Sequence, residues 1–179
     1  GSLILISRSQ QGGGRIICSS IDSGENWKDC HVSNDLADEN NNAQVIRAFP
    51  NAKPGTLRSQ ALLFSGTDNG RKNGYVWVSF DDGKTWPVKK QFKTGGTGYT
   101  TMTVQKDGNI GLLMEPNGGG WADIHLLLFH TSLPMTKHLT ILKQLHRFLL
   151  LLKNHMPLIY WYHKYLRPCR FSDTAKYMY

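Results

Sequence analysis

Arginine, tyrosine and glutamate side chains beside short apolar runs are the residues of this sequence that could do chemistry. The guanidinium of Arg8 or Arg71 is planar and can bind a carboxylate through two parallel hydrogen bonds, which a lysine cannot do. Tyr99 could act as a nucleophile, but an ordinary tyrosine has a pKa near ~10 and needs a partner base at neutral pH. A carboxylate such as Glu115 would reduce the repulsion within a group of arginines. Taken singly, each residue could also be a solvated or stacking side chain, as we expect Arg15 to be.

Histidine and cysteine do not form the pattern of a metal site. The histidines at positions 138, 146, 155 and 163 include no pair four residues apart and have no acidic neighbours to support a metal ligand. We therefore predict that the protein uses neither a metal nor another cofactor. Cys18 and Cys30 could form a disulfide, but the chain has 3 cysteines and nothing in the sequence requires this pair.

Two octapeptides share the pattern S-x-D-x-G-x-x-W and begin 59 residues apart. The aspartate can accept backbone N–H groups across a turn, the glycine permits a left-handed backbone, and the tryptophan can cover the hairpin. The fixed positions are Ser20, Asp22, Gly24 and Trp27 in the first copy and Ser79, Asp81, Gly83 and Trp86 in the second. An internal period of this size predicts a repeat architecture.

The elements that must position these residues are short β-strands. Apolar or alternating runs are separated by Gly, Asp and Asn turns, and no segment before residue 125 shows a sustained helical period. We predict strands at 3–7, 15–20, 44–49, 60–65, 74–80, 100–105 and 109–114. Many short strands indicate a sandwich, a barrel or a propeller, and the repeat favours the propeller.

Composition divides the chain at residue 124. Its 179 residues are 40% hydrophobic with 3 Cys, which excludes a collagen, a fully disordered polymer and a small disulfide scaffold. No apolar run approaches the ~20 residues that span a bilayer. Residues 1–124 hold all 18 glycines and 13 Lys and Arg against 12 Asp and Glu, a net charge of +1. Residues 125–179, the C-terminal tail, hold 8 Lys and Arg against Asp173 alone, a net charge of +7. The basic character belongs to the tail, so we predict no nucleic-acid partner.

The octapeptides resemble Asp-boxes, which recur in the blades of the six-bladed β-propeller of sialidases. Four further segments resemble sialidase motifs and occur in the family's order between and after the Asp-boxes. Residues 6–9 are similar to N-A-R-S, residues 61–74 to the segment of the third arginine, residues 98–104 to A-Y-S-x-L and residues 110–115 to G-L-L-Y-E. The resemblance spans residues 1–124, and as an ordered set it is specific.

The resemblance implies a fold, an activity and a set of site residues. It implies that Tyr99 is the nucleophile, that Arg8 and Arg71 are two of three arginines binding the substrate carboxylate, and that Glu115 orients the third. It implies a retaining exo-α-sialidase, which releases terminal sialic acids from glycoproteins, gangliosides and oligosaccharides. We expect Arg8, Arg71 and Tyr99 to converge at one end of the sheets, with the Asp-boxes at the opposite periphery.

The sequence departs from the family in what precedes residue 6. In sialidases an arginine, an aspartate acid/base and a glutamate paired with the tyrosine come before the N-A-R-S segment. We therefore expect a partial six-bladed β-propeller, the C-terminal half of a sialidase catalytic domain, that is inactive on its own. No signal peptide is visible, and the resemblance is compatible with a secreted, lysosomal or membrane-associated protein, so the localisation stays open.

The C-terminal tail lacks the turn residues of the first part. Residues 136–153 could form a helix with leucines along one stripe and a basic remainder, which would suit an anionic membrane surface. A shift of reading frame after Ile124 explains the simultaneous loss of glycine and acidic residues, and we favour that explanation. We expect the tail to be helical or disordered and to pack poorly against the β region.

A non-catalytic Asp-box propeller that binds glycans or protein is the alternative function. Such a propeller needs the boxes but not the arginines and the tyrosine, so Arg8, Arg71 and Tyr99 discriminate between the two functions. A basic module that binds membranes or nucleic acid is a third possibility, and it rests on the tail alone.

Overall fold

A computed structural model of the chain describes residues 1–9, 13–117 and 125–130. Within these residues the chain forms ten strands and one short helix. The elements are β1 (Leu3–Ser7), β2 (Gly14–Ser20), β3 (Lys28–Ala37), β4 (Gln44–Arg47), α1 (Leu57–Gln60), β5 (Leu62–Asp68), β6 (Asn73–Ser79), β7 (Val88–Thr94), β8 (Thr97–Val104), β9 (Asn109–Pro116) and β10 (His125–His130).

The strands form three antiparallel sheets built from consecutive strands. Sheet 1 has the order β1-β2-β3, sheet 2 has β4-β5-β6-β7, and sheet 3 has β8-β9-β10. An antiparallel meander of four strands is the blade of a β-propeller, and sheet 2 is a complete unit of this kind. The predicted all-β chain with partial propeller architecture is confirmed.

Sheet 2 lies between the other two sheets because strand alternation makes both of its faces apolar. Along β5, Leu62 and Phe64 belong to one buried cluster and Leu63 to another. The first cluster joins sheet 2 to Ile17 and Leu36 of sheet 1. The second joins it to residues of sheet 3: Met102, Ile110, Leu112, Met114 and Leu127. Successive side chains of a strand point to opposite faces, so one strand serves both interfaces.

The first Asp-box forms the turn between β2 and β3. The Ser20 hydroxyl donates to Asp22 Oδ1 over 2.7 Å and accepts the Gly24 N–H over 2.9 Å. Asp22 Oδ1 also accepts the backbone N–H of Asn26 over 3.0 Å. These hydrogen bonds hold the pKa of Asp22 at about 2, the bond from the Asn26 backbone being the largest cause.

The second Asp-box, between β6 and β7, repeats this geometry. Ser79 donates to Asp81 over 2.7 Å, and the N–H groups of Gly83 and Thr85 bond to Ser79 and Asp81 over 2.8 and 3.0 Å. Gly83 has a φ of +87°, and a Cβ there would lie 2.5 Å from Ile4 Cδ1 of sheet 1. The left-handed backbone therefore favours glycine at this position, and a larger residue would also have to displace the end of the Ile4 side chain.

The two Asp-box tryptophans differ in their environment. Trp86 is 4% exposed and packs with Phe64 in the cluster between sheets 1 and 2, while Trp27 is 40% exposed. Trp86 also donates its backbone N–H to Asp35 of β3 over 3.0 Å, which ties the second box to the neighbouring sheet. The tryptophan of the second Asp-box is thus buried against a neighbouring sheet, while that of the first is partly exposed to solvent.

Cys18 and Cys30 form a disulfide between β2 and β3. When the two repeats are aligned at their Asp-boxes, Cys18 and Cys30 correspond to Trp77 and Lys89 of sheet 2. Trp77 and Lys89 are register partners on β6 and β7. In sheet 2 the Lys89 ammonium lies 5.2 Å from the centre of the Trp77 ring. A covalent link in one repeat therefore corresponds to a cation–π contact in the other.

Two polar strands and the helix were not predicted. β3 and β7 carry mostly exposed side chains, because each lies at an edge of its sheet and presents lysines or other polar residues to water. Such strands lack the apolar alternation on which sequence prediction depends. The helix α1 has four residues and is held by a capping box between Thr56 and Ser59.

The expectation that the tail packs poorly is wrong for its first six residues. His125–His130 form β10, which pairs in an antiparallel register with β9, and Leu127 is buried in the second cluster. An apolar run of this kind can complete a sheet edge regardless of the glycine content around it, and this ordered pairing argues against a change of frame directly after Ile124. The predicted helix at 136–153 lies outside the described residues. No helix within the described part of the chain is long and apolar enough to cross a membrane.

Candidate functional site

The meander topology brings the candidate site residues to one end of the sheets. Alternate connections of an antiparallel meander lie at opposite ends of the strands. One end, called the site end, carries the connections at 8–9, 38–43, 69–72 and 95–96. The other end carries the Asp-box turns at 21–27 and 80–87. The candidate site residues and the Asp-boxes therefore lie at opposite ends of the sheets.

Arg8 and Arg71 meet at the segment that joins β3 to β4. Arg8 donates to the side-chain oxygens of Asn40 and of Asn42, the latter over 3.5 Å. Arg71 donates to the backbone carbonyls of Asn40 and of Glu39, the latter over 3.2 Å. Two guanidinium groups that sequence places 63 positions apart are thus held by neighbouring groups of one loop.

Tyr99 lies beside Arg71 at the start of β8. The centre of its ring is 5.4 Å from Cζ of Arg71, and its side chain is 37% exposed. The β8–β9 register shifts between Thr97 and Thr100, so Tyr99 lies in a bulge. Bulges commonly redirect a side chain near functional sites, and here one presents a phenol next to a guanidinium.

Glu115 supports the bulge at Tyr99. Its Oε2 accepts the backbone N–H of Tyr99 over 3.0 Å, which replaces the ladder hydrogen bond lost at the bulge. Glu115 is half-buried at the end of β9, on the site end. The role that the resemblance implies for this carboxylate, orienting a third arginine, stays a prediction.

Arg15 is buried, which corrects the expectation that it is solvated. It is 2% exposed, its Nη2 lies 3.6 Å from Asp38 Oδ1, and Asp38 is likewise buried. The same nitrogen donates to the backbone and side-chain oxygens of Asn41 over 2.8 and 2.7 Å. Burial lowers the pKa of Arg15, the charge of Asp38 raises it, and the charge of Arg8 lowers it. The positive charges of Arg8 and Arg15 are therefore close enough to interact at the site end.

The segment Asp38–Asn42 is the part of the site that sequence reasoning missed. Asp38 accepts the backbone N–H groups of Ser9 and of Asn40, the latter over 3.0 Å. Asn41 and Asn42 bond to the backbone of β8 on either side of Tyr99. A run of one aspartate, one glutamate and three asparagines between two strands was the available signal, because such residues form local hydrogen bonds in turns.

The described residues contain no group of three or more His, Cys, Asp or Glu that could hold a metal ion. The chemistry available at the site end is that of two guanidinium groups, one exposed (Arg8) and one half-buried (Arg71), with a phenol beside Arg71. Such a surface suits an anionic ligand with a carboxylate, since a guanidinium binds that group in two-point geometry.

Comparison with known proteins identifies the relatives of this chain. A sialidase from Micromonospora viridifaciens is 43% identical over 122 aligned residues, and the match covers 66% of this chain and 19% of that protein. Over this stretch the chain is similar to a sialidase. The chain spans about a fifth of the length of the curated protein that it matches. No family model matches the chain.

A solved structure also resembles the chain. The intramolecular trans-sialidase from Ruminococcus gnavus in complex with oseltamivir carboxylate is 25% identical, with a TM-score of 0.48. The match covers 65% of this chain and 28% of that protein.

Proposed function

We propose that this chain is part of an exo-α-sialidase, a retaining glycoside hydrolase that removes terminal sialic acids from glycoproteins, gangliosides and oligosaccharides. The observation that carries the proposal is the contact of Arg71 with the ring of Tyr99, together with the meeting of Arg71 and Arg8 at Asn40. The identity of 43% with a sialidase supports it. In this proposal the sialidase part comprises residues 1–124 together with β10, which pairs with β9, and residues 131–179 are a separate segment of different composition.

Arg8 and Arg71 are the proposed carboxylate-binding residues. Sialic acid carries its carboxylate on the anomeric carbon, so a group that binds the carboxylate also sets the position of the reacting atom. Arg8 is exposed and Arg71 half-buried, so both can exchange bonds to the 39–42 backbone and amides for bonds to a ligand. Charge-assisted bonds of this kind are about twice as strong as neutral ones.

Tyr99 is the proposed nucleophile. A neutral phenol attacks without placing a second negative charge beside the substrate carboxylate. A phenol with an ordinary pKa needs a base to act at neutral pH. Within the described residues, no side chain hydrogen-bonds to the Tyr99 hydroxyl, and its only polar support is through its backbone.

We therefore propose that the 179-residue chain on its own hydrolyses sialosides negligibly while retaining weak ligand binding. General acid–base assistance is typically worth ~10²–10⁴-fold, and Glu115, the carboxylate that contacts Tyr99, is bonded to the backbone of Tyr99 and not to its hydroxyl. Binding depends on Arg8 and Arg71, which are present.

The binding experiment compares the chain with matched arginine variants. We expect N-acetylneuraminic acid to bind the wild-type chain in saturation-transfer NMR and titration calorimetry, and to bind Arg71→Lys about 10-fold more weakly, because lysine keeps the charge but loses the two-point geometry. Arg47→Lys is the control, since Arg47 lies at the opposite end of the sheets and pairs with Asp82. Equal binding by wild type and Arg71→Lys would contradict the assignment.

The activity experiment measures release of a fluorophore from an aryl sialoside. Wild type and Tyr99→Phe should both remain at the rate of the uncatalysed reaction. Clear turnover abolished by Tyr99→Phe would show that the chain supplies its own acid and base.

The alternative function, a non-catalytic glycan-binding propeller, is tested by comparing glycans with and without sialic acid. Binding of asialo-glycans as strong as that of sialylated ones would favour this alternative.

A further inference from the structure

Asn41 is a fully buried amide at the centre of the site end. It is 0% exposed and bonds in two directions. Its backbone and side-chain oxygens accept Nη2 of Arg15 over 2.8 and 2.7 Å. Its side-chain nitrogen donates to the carbonyl of Gly98 over 3.1 Å. Asn41 therefore joins the buried Arg15–Asp38 pair to strand β8 at Gly98, the residue that directly precedes Tyr99.

The neighbours of Asn41 hold the two arginines. Asn40 accepts from Arg8 through its side chain and from Arg71 through its backbone. On the other side, the Asn42 carbonyl accepts the backbone N–H of Thr100 over 3.2 Å. A shift of this loop therefore moves Arg8 and Arg71 relative to the β8 residues that flank Tyr99.

We propose that Asn41 is a positioning residue that sets the placement of Arg8 and Arg71 against Tyr99. The inference rests on the proposed sialidase function. An amide suits this position because its oxygen must accept from the Arg15 guanidinium while its nitrogen donates to the Gly98 carbonyl. A carboxylate of the same size keeps the first bond and loses the second, and alanine loses both side-chain bonds.

The test uses the 179-residue chain with Asn41→Asp and Asn41→Ala. Phenylglyoxal labelling at neutral pH, read by mass spectrometry, gives the reactivity of each arginine. Loss of the bond to Gly98 should release the loop and raise the reactivity of Arg8 and Arg71 by about 5-fold, the factor expected for one buried hydrogen bond. The reactivity of Arg47, at the opposite end, should not change.

Two further measurements separate positioning from a general loss of structure. Asn41→Asp keeps its acceptor toward Arg15 but buries a carboxylate and leaves the Gly98 carbonyl without its donor, so its urea unfolding midpoint should fall. Its far-UV circular dichroism and its Arg47 reactivity should stay at the wild-type values, while N-acetylneuraminic acid binds about 5-fold more weakly. Asn109→Ala is the matched control, because Asn109 also uses its side-chain amide, donating to Asp107 over 2.7 Å at the opposite end. This control should leave both the arginine reactivity and the ligand affinity unchanged.

The outcomes distinguish this inference from the proposed function. Wild-type reactivity of Arg8 and Arg71 in Asn41→Asp would overturn the positioning role. A lower unfolding midpoint together with a higher phenylglyoxal reactivity of Arg47 in both variants would also overturn it. That pattern would mean that the substitutions disrupt the whole fold and not the site end alone. If the wild-type chain does not bind N-acetylneuraminic acid, the proposed function fails, and the arginine reactivities still decide the role of Asn41.

Discussion

Replacing Asp38 by asparagine should destabilise the protein far more than replacing Asp82 by asparagine. Asp38 pairs with Arg15 at 3.6 Å, and the two side chains are 0% and 2% exposed. Asp82 pairs with Arg47 at the shorter distance of 2.8 Å, but these side chains are 46% and 40% exposed. The buried pair has the longer distance and the exposed pair the shorter one, so comparing them shows whether distance or burial controls the stability contribution.

Burial decides the comparison. At an effective dielectric of about 20 the buried pair attracts with about 5 kcal/mol, while in water at about 80 the exposed pair attracts with about 1.5 kcal/mol before entropy and salt reduce it. Removing one partner of a buried pair leaves an uncompensated charge and typically costs ~3–5 kcal/mol, against ~0–1 kcal/mol for an exposed pair. Asp38→Asn also weakens the bonds from the N–H groups of Ser9 and Asn40.

The assay is urea unfolding followed by tryptophan fluorescence and circular dichroism, for wild type, Arg15→Met, Asp38→Asn, Asp82→Asn and the double variant Arg15→Met/Asp38→Asn. The double variant should recover part of the unfolding free energy that Asp38→Asn loses, because it also removes the buried charge of Arg15. A loss of unfolding free energy in Asp38→Asn no larger than in Asp82→Asn would refute the reasoning. So would a double variant that costs the sum of its single changes.

Three further predictions concern the Asp-box hairpins. Trp86→Ala should lower the free energy of unfolding by ~3–5 kcal/mol and Trp27→Ala by clearly less, measured by urea titration, because the side chains are 4% and 40% exposed. The pKa of Asp22 lies at about 2 instead of 3.8, so the folded state binds fewer protons and stability falls as pH drops through this window. Asp22→Asn should reduce that fall in urea titrations between roughly pH 5 and pH 1.5, and part of the fall should remain because the pKa values of Asp68 and Asp81 are also lowered. Reducing the Cys18–Cys30 disulfide, with a sequence separation of 12, should cost about 3 kcal/mol, seen by comparing unfolding with and without dithiothreitol.

The sequence by itself determined the local motifs. The hydrogen bonds within each Asp-box turn, between its serine, aspartate and glycine, join residues at most four positions apart, so the eight-residue pattern is sufficient to specify them. The apolar runs in β5 and β6 likewise identified buried strands, and the motif order placed Arg8, Arg71 and Tyr99 among the candidates. Local interactions need no knowledge of the partner sheet.

Only the tertiary structure decided which polar residues are buried and how the site is held. Arg15 reaches Asn41 across 26 positions and Asn41 reaches Gly98 across 57, and no local pattern encodes either contact. The same holds for Trp27 and Trp86, which share a motif but differ in exposure, because the neighbouring sheet covers one and not the other. Burial depends on what packs against a residue, and that is fixed when distant strands meet.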